Sequence, residues 1–183
     1  MRRTQWSWFL ISLALLSLPL LLSAPEARAA SVVVSPADTT VLLGDTFTLR
    51  VEADAFSDLK AYELIFRYGE AVLQYVGPTA GDVLTAGGGA YTVQPLSPVS
   101  PPPFTAGVDC ARLDGSTSGP GVLIYYTFKA IGLGTSPIDC VNVDYRDSLN
   151  NQTIPGCTGG AVHVTFPVPT SHPTWGQLKT IYR

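Results

Sequence analysis

Two histidines, His163 and His172, are the only side chains in this sequence that titrate near neutral pH without help from their surroundings. His163 falls in an alternating, strand-like segment and His172 in a proline-rich stretch near the end of the chain. Neither is accompanied by a Gly-x-Ser-x-Gly nucleophile elbow or by a second histidine at metal-ligand spacing. Carboxylate pairs of the glycoside-hydrolase kind need only meet in space, about 5–10 Å apart. Asp54 with Asp58 and Asp109 with Asp114 are the candidates, and turn chemistry accounts for both. Gly87 to Gly89 lack the lysine and following helix of a phosphate cradle. No EF-hand-like loop is present to hold calcium. The expectation is a chain that is not an enzyme, with no catalytic residue, no cofactor and no metal site.

The three cysteines carry a different chemistry, and its direction depends on the redox compartment. Arg2 and Arg3, the apolar stretch from Trp8 to Leu22 and the small residues Ala27-Arg28-Ala29 read as a secretory signal peptide over residues 1–29. About 20 apolar residues are needed to span a bilayer, and this stretch is shorter. The expected location is secreted or cell surface, with membrane contact only through the signal peptide or a C-terminal attachment. Outside the cytoplasm thiols oxidise. Cys140 and Cys157 flank a turn at Asp147 to Asn150, so the hairpin brings them opposite one another and a Cys140–Cys157 disulfide is expected. Cys110 is left over, and its pairing with either partner stays open. The three share neither C-x-x-C spacing nor a nearby histidine, which argues against zinc.

Composition sets the elements that must position any site. The chain has 183 residues, 46% hydrophobic and 14% charged, with 17 Gly, 15 Pro and a formal net charge of −3. This suits one domain, and the shortage of Lys and Arg excludes a nucleic-acid partner. Without the leader, 8 basic residues stand against 13 acidic ones. Nine alternating segments follow: Ser31 to Val34, Thr46 to Val51, Lys60 to Tyr68, Val72 to Val76, Ala90 to Gln94, Phe104 to Arg112, Val122 to Ala130, Ile138 to Tyr145 and Ala161 to Phe166. Gly-rich turns separate them. The fold expected is all-β, a nine-stranded β-sandwich with jelly-roll topology over residues 30–166. Pro95, Pro98 and Pro101 to Pro103 are read as an exposed connection that cannot pair in a sheet. Residues 167–183 form a Pro-rich spacer and a short tail with Trp175, Leu178, Ile181 and Tyr182 at near-helical spacing.

Period two assigns faces. Leu64, Phe66 and Tyr68 point into the core and leave Glu63, Ile65 and Arg67 on the opposite side. In the later segment Val122, Ile124, Tyr126 and Phe128 are assigned inward, and Leu123, Tyr125, Thr127 and Lys129 outward. With Val108 and Cys110 inward, Thr105, Gly107, Asp109 and Ala111 face out. An apolar Ile65 framed by Glu63 and Arg67 has the make-up of an interface centre. Tyr91 and Tyr125 are the aromatic side chains that would serve a direct polysaccharide contact instead.

Four blocks in order resemble the cohesin domain, the module by which cellulosomal scaffolding proteins hold dockerin-bearing enzymes. They are Val32 to Asp54 (VVVSPADTTVLLGDTFTLRVEAD), Leu64 to Val76 (LIFRYGEAVLQYV), Gly119 to Ile138 (GPGVLIYYTFKAIGLGTSPI) and Val141 to Val164 (VNVDYRDSLNNQTIPGCTGGAVHV). The order and spacing carry the likeness. Departures are Gly69-Glu70 where the family usually has Asp-Pro, the Pro-rich connection and the cysteines. The resemblance implies a flattened nine-stranded sandwich and a non-catalytic face that binds a dockerin-like module or another extracellular protein, with a role in polysaccharide degradation. By position it implies an acidic contact at Glu63 and a contact position at Ala61. Together with the face reading, the partner-binding set is Ala61, Glu63, Ile65, Arg67, Thr105 and Asp109.

Overall fold

The structure is a computed structural model that describes residues 30–96 and 104–167. Residues 1–29, read from the sequence as a signal peptide, the prolines at 98 and 101–103, and the segment from 168 onward, read as spacer and tail, lie outside the described residues. Eleven strands, one α-helical turn and one 3-10 turn (Ala86–Gly88) are described: β1 Ser31–Ser35, β2 Asp38–Leu42, β3 Thr46–Arg67, β4 Leu73–Ala80, α1 Asp82–Thr85, β5 Tyr91–Leu96, β6 Thr105–Arg112, β7 Thr117–Ala130, β8 Gly134–Asp147, β9 Gln152–Thr153, β10 Gly156–Thr158 and β11 Gly160–Thr165. The all-β sandwich agrees with the sequence reading, but the strands are divided differently from the nine expected.

Two of the expected strands are one. β3 runs for 22 residues, and its two halves serve two layers. Residues 46–59 pair with β7, and residues 50–53 also pair with β1, whereas Leu59–Arg67 pairs with β8 and Ala61–Arg67 with β6. Register shifts at Ala53/Phe56 and Phe56/Leu59 let the strand pass from one layer to the other. One layer reads β10-β1-β3-β7-β4, and the other β5-β6-β3-β8-β9. Three short strands, β2, β9 and β10, were not expected. The β10–β11 line runs parallel to the β1–β2 line and closes the sandwich, with Gly156–Thr158 beside Ser31–Val33 and Ala161–Thr165 beside Asp38–Leu42. Gly159 separates β10 from β11, and a Cβ there would lie 2.0 Å from the Ile138 carbonyl oxygen, so only glycine fits this close approach.

Leu64, Phe66 and Tyr68 face the core as expected, and they meet Tyr126 and Phe128 of the other layer. Tyr126 donates its hydroxyl proton to the Leu64 carbonyl, and Tyr62 donates to the Leu123 carbonyl. These two bonds tie the layers together and satisfy the phenols that burial would otherwise penalise. Leu123 departs from the sequence reading, which placed it outward. It is fully buried, because pairing skips from Ile124 opposite Val51 to Val122 opposite Glu52. The extra residue of this bulge breaks the alternation and turns Leu123 inward beside Ile124.

Pro95 also departs from expectation. It sits inside β5 opposite Val108, and β5 pairs only with β6 among the described residues. An edge strand tolerates a missing N–H that a central one cannot.

Cys140 and Cys157 form the expected disulfide, with Cα atoms 6.2 Å apart, and it links β8 to β10. Cys110 is free and buried beside Tyr62; burial pushes its thiol up to about 12, so it stays protonated and unreactive at neutral pH. Replacing Cys140 and Cys157 together by serine is expected to lower stability by about 3 kcal/mol, the chain-entropy value for a loop of this size. Urea unfolding of the oxidised parent and the double variant checks this, and equal midpoints would mean that the bridge constrains nothing.

Candidate protein-docking face

The second half of β3 lies between β6 and β8, so each outward residue on it has a neighbour on both sides. Ala61 stands opposite Ala111 and Arg146, Glu63 opposite Asp109 and Asp144, Ile65 opposite Gly107 and Asn142, and Arg67 opposite Thr105 and Asp139. β5 extends three of these rows with Thr92, Gln94 and Leu96 beside Ala111, Asp109 and Gly107. The flat face therefore brings together five of the six residues read from the sequence.

The sixth, Thr105, is corrected: it is buried rather than offered to a partner. β6 is an interior strand with neighbours on both edges, and its first four residues, Thr105 to Val108, are all covered. Leu96 of β5 crosses over Gly107, where an added Cβ would come within 3.0 Å of it.

The Glu63 row is the electrostatic centre of the face. Three carboxylates, Asp109, Glu63 and Asp144, lie side by side on adjacent strands, an arrangement that costs stability because like charges in direct register repel. Asn142 donates its amide to Glu63 Oε1. Arg146 donates to Asp144 Oδ2 from Nε at 3.2 Å and Nη2 at 3.0 Å, and Gln152 Nε2 adds a third bond at 3.0 Å. The Asp144 side chain is only 14% exposed, and its Oδ1 is buried with no hydrogen-bond partner. The Asp109 side chain makes no hydrogen bond or ion pair among the described residues, and the residue is exposed. Next to this row, Ile65 is half-buried and Val141 is exposed. Val141 is the unpaired residue of a bulge between the Ile65–Asn142 and Phe66–Cys140 pairs. At the end of the face Arg67 Nη2 meets Asp139 Oδ2 at 3.2 Å, an exposed pair worth at most about 1 kcal/mol.

Asp144, Asn142 and Val141 were missed in the sequence. The alternation of Asn142, Asp144 and Arg146 with Val143 and Tyr145 shows which of them face outward. Nothing in one strand's pattern says that β8 lies beside Glu63.

The tyrosines of the polysaccharide reading do not meet. Tyr91 is exposed on the side of β5 that carries Arg112's register, opposite to the Gln94 side. Tyr125 is half-buried on β7, in the other layer, between Arg50 and Thr79. They do not form a shared aromatic platform.

His163 sits on β11 with Nδ1 2.8 Å from Thr135 Oγ1 and Nε2 3.0 Å from Asp38 Oδ1. The three side chains cross neighbouring strands on an exposed surface. They clip the strands together. A cleft of about 420 Å³ lies where β3 changes layer, lined by Phe56, Leu59, Tyr145, Arg146 and Asp147 among others. Its charged groups are already engaged: Asp147 Oδ1 accepts from the amides of Leu149 and Asn151, and Arg146 holds Asp144.

No family profile matches the sequence, and no curated protein matches it. Solved structures do match in shape. A type II cohesin module from the ScaA scaffoldin of Acetivibrio cellulolyticus superposes with a TM-score of 0.63 at 14% identity, over 84% of this chain and 98% of that one. A non-cellulosomal cohesin from the archaeon Archaeoglobus fulgidus gives 0.60 at 15% identity, over 75% and 91%. A chain of a type I cohesin–dockerin complex, Coh-OlpA-Doc918 from Clostridium thermocellum, gives 0.61 at 14% identity, over 75% and 100%. At these identities the likeness is one of fold, and the fold is that of cohesins.

Proposed function

We propose that this protein is an exported, non-catalytic docking module that captures a dockerin-type partner on the β5-β6-β3-β8 face. The observation that carries the reading is the Asp109–Glu63–Asp144 row beside Ile65 and Val141, on the flat face of a cohesin fold. Like charges held in register against their own repulsion gain their return when a partner supplies donors. The apolar residues beside the row provide the desolvated area that an interface centre needs. Several of the similar solved cohesins are in complexes with dockerins, which supports a dockerin-type partner here. Direct polysaccharide contact gains no support from the separated Tyr91 and Tyr125.

Docking by this route is shape and charge complementarity without bond chemistry. Glu63→Lys is expected to weaken capture of a cognate dockerin module by about 30-fold or more, the scale of a hot-spot residue. The same change is expected to shift unfolding free energy by no more than about 0.5 kcal/mol, because the site faces solvent on one side. Titration calorimetry with dockerin modules encoded in the same genome measures the first, and urea unfolding the second. Equal affinity for parent and variant would remove Glu63 from the interface.

A further inference from the structure

Strand β8 changes phase inside the candidate face. In its first half Ser136 and Ile138 are buried and Cys140 packs against the core, so the even-numbered side chains point inward. In its second half Val143 and Tyr145 are buried, so the odd-numbered ones do. With Ile138 and Val143 both inside, one residue between them must break the period of two. Here that residue is Val141, which stands between the Phe66–Cys140 and Ile65–Asn142 pairs and is 53% exposed.

Burial of Ile138 and Val143 demands a bulge without fixing its position; the disulfide fixes it. Cys140 is bonded to Cys157 of β10, so its side chain is held away from the face. A local one-residue slip that moved the bulge to Asp139 would set Val141 opposite Phe66 with its side chain inward, and Cys140 opposite Arg67. Pairing of β3 with β8 would then run unbroken from Leu64–Val143 to Arg67–Cys140. The exchange takes a valine out of water and gives water a small thiol in return, so hydrophobic burial favours it. The covalent bond keeps the strand in the register that forgoes this gain.

We infer that the Cys140–Cys157 bridge is a redox latch on the candidate docking face: its reduction frees Cys140, moves the bulge from Val141 to Asp139 and withdraws Val141 from beside Glu63. The reductant is of the dithiol class. One of its thiolates attacks a bridge sulfur and forms a mixed disulfide, and its second thiol then closes on the first. Two electrons and two protons pass to the bridge, which leaves Cys140 and Cys157 as thiols and the dithiol as a disulfide. Neither cysteine of the bridge is fully buried. The effect on partner capture rests on the docking reading, whereas the change of register does not.

The test reduces the full chain with dithiothreitol, removes the reagent under anaerobic conditions and alkylates the native protein with iodoacetamide, with mass spectrometry reading each cysteine. Cys140 is expected to react about tenfold faster in the reduced parent than in reduced Val141→Asn, because it turns outward beside Arg67 only when residue 141 turns inward. Asparagine at this exposed position is not driven into the core, so the bulge stays in place. Cys110 is fully buried and is expected to remain unlabelled in both chains, which reports that the domain is folded. Nuclear Overhauser contacts between the Val141 methyl groups and the Phe66 ring are expected to appear on reduction of the parent. Equal Cys140 rates in the two chains, or a reduced parent without the Val141–Phe66 contacts, would overturn the inference. Labelling of Cys110 as fast as Cys140 would overturn it as well, since reduction would then unfold the domain instead of moving one residue. None of these readouts involves a partner, so this inference and the docking proposal can fail separately.

Discussion

Phe128→Ala is expected to lower the unfolding free energy by about 3–5 kcal/mol, the range for removing a buried aromatic ring. Phe128 is almost fully buried on β7, at the point where the two layers meet. Its ring lies 5.3 Å from Tyr68, 5.6 Å from Tyr75 and 6.1 Å from Phe47, centroid to centroid. These partners come from β3, β4 and the segment after β3, so no single neighbour can move in to fill the space. A domain of this size has about 5–15 kcal/mol in total, and this one substitution removes a large part of it. Urea unfolding followed by far-ultraviolet circular dichroism measures the loss. A cost below about 1.5 kcal/mol would mean that the cluster collapses around the gap and is not the rigid joint described here.

Leu123→Ala is expected to cost about 2–5 kcal/mol, and it tests the bulge directly. Strict alternation along β7 places Leu123 with Lys129 on the outer surface. A surface leucine changed to alanine would alter stability by no more than about 0.5 kcal/mol. The structure instead buries Leu123 completely and uses its carbonyl to accept the Tyr62 hydroxyl proton. Lys129→Ala serves as the matched control on an exposed position of the same strand. Two equally mild variants would restore the unbroken alternation and refute the bulge.

These two residues also mark what can be read from the sequence. Phe128, Tyr126, Leu64 and Phe66 keep an unbroken alternation along their own strands, because the bulges beside them put the extra residue on the partners, Val141 on β8 and Val76 on β4, so a period of two identifies their face. Leu123 fails because a bulge is set by the mismatch between two strands, and one strand's pattern does not contain it. β2 was missed because Asp38-Thr39-Thr40-Val41-Leu42 has no buried residue to produce an apolar alternation; it is held by backbone pairing to β11. The Cys140–Cys157 link was legible from a turn between the two residues, although the partners prove to lie on β8 and β10. Pro95 was misread because edge position, which permits a proline, is a property of the sheet and not of the segment.

The candidate face divides in the same way. Glu63, Ile65 and Arg67 follow from the Leu64–Phe66–Tyr68 alternation alone. Asp144 and Asn142 required knowing that β8 flanks β3, a contact across 79 residues in the Asn142–Glu63 bond. Nothing in the alternation of β6 separates the buried Thr105 from the exposed Asp109.

The parallel closure by β10 and β11 has a mechanical consequence. The first described strand enters beside β10, the last leaves beside β2, and the two lines run in the same direction. A pull applied between the two ends of the domain drags them past each other lengthwise. Their rungs are then loaded together in shear, whereas an antiparallel hairpin at the ends would unzip rung by rung.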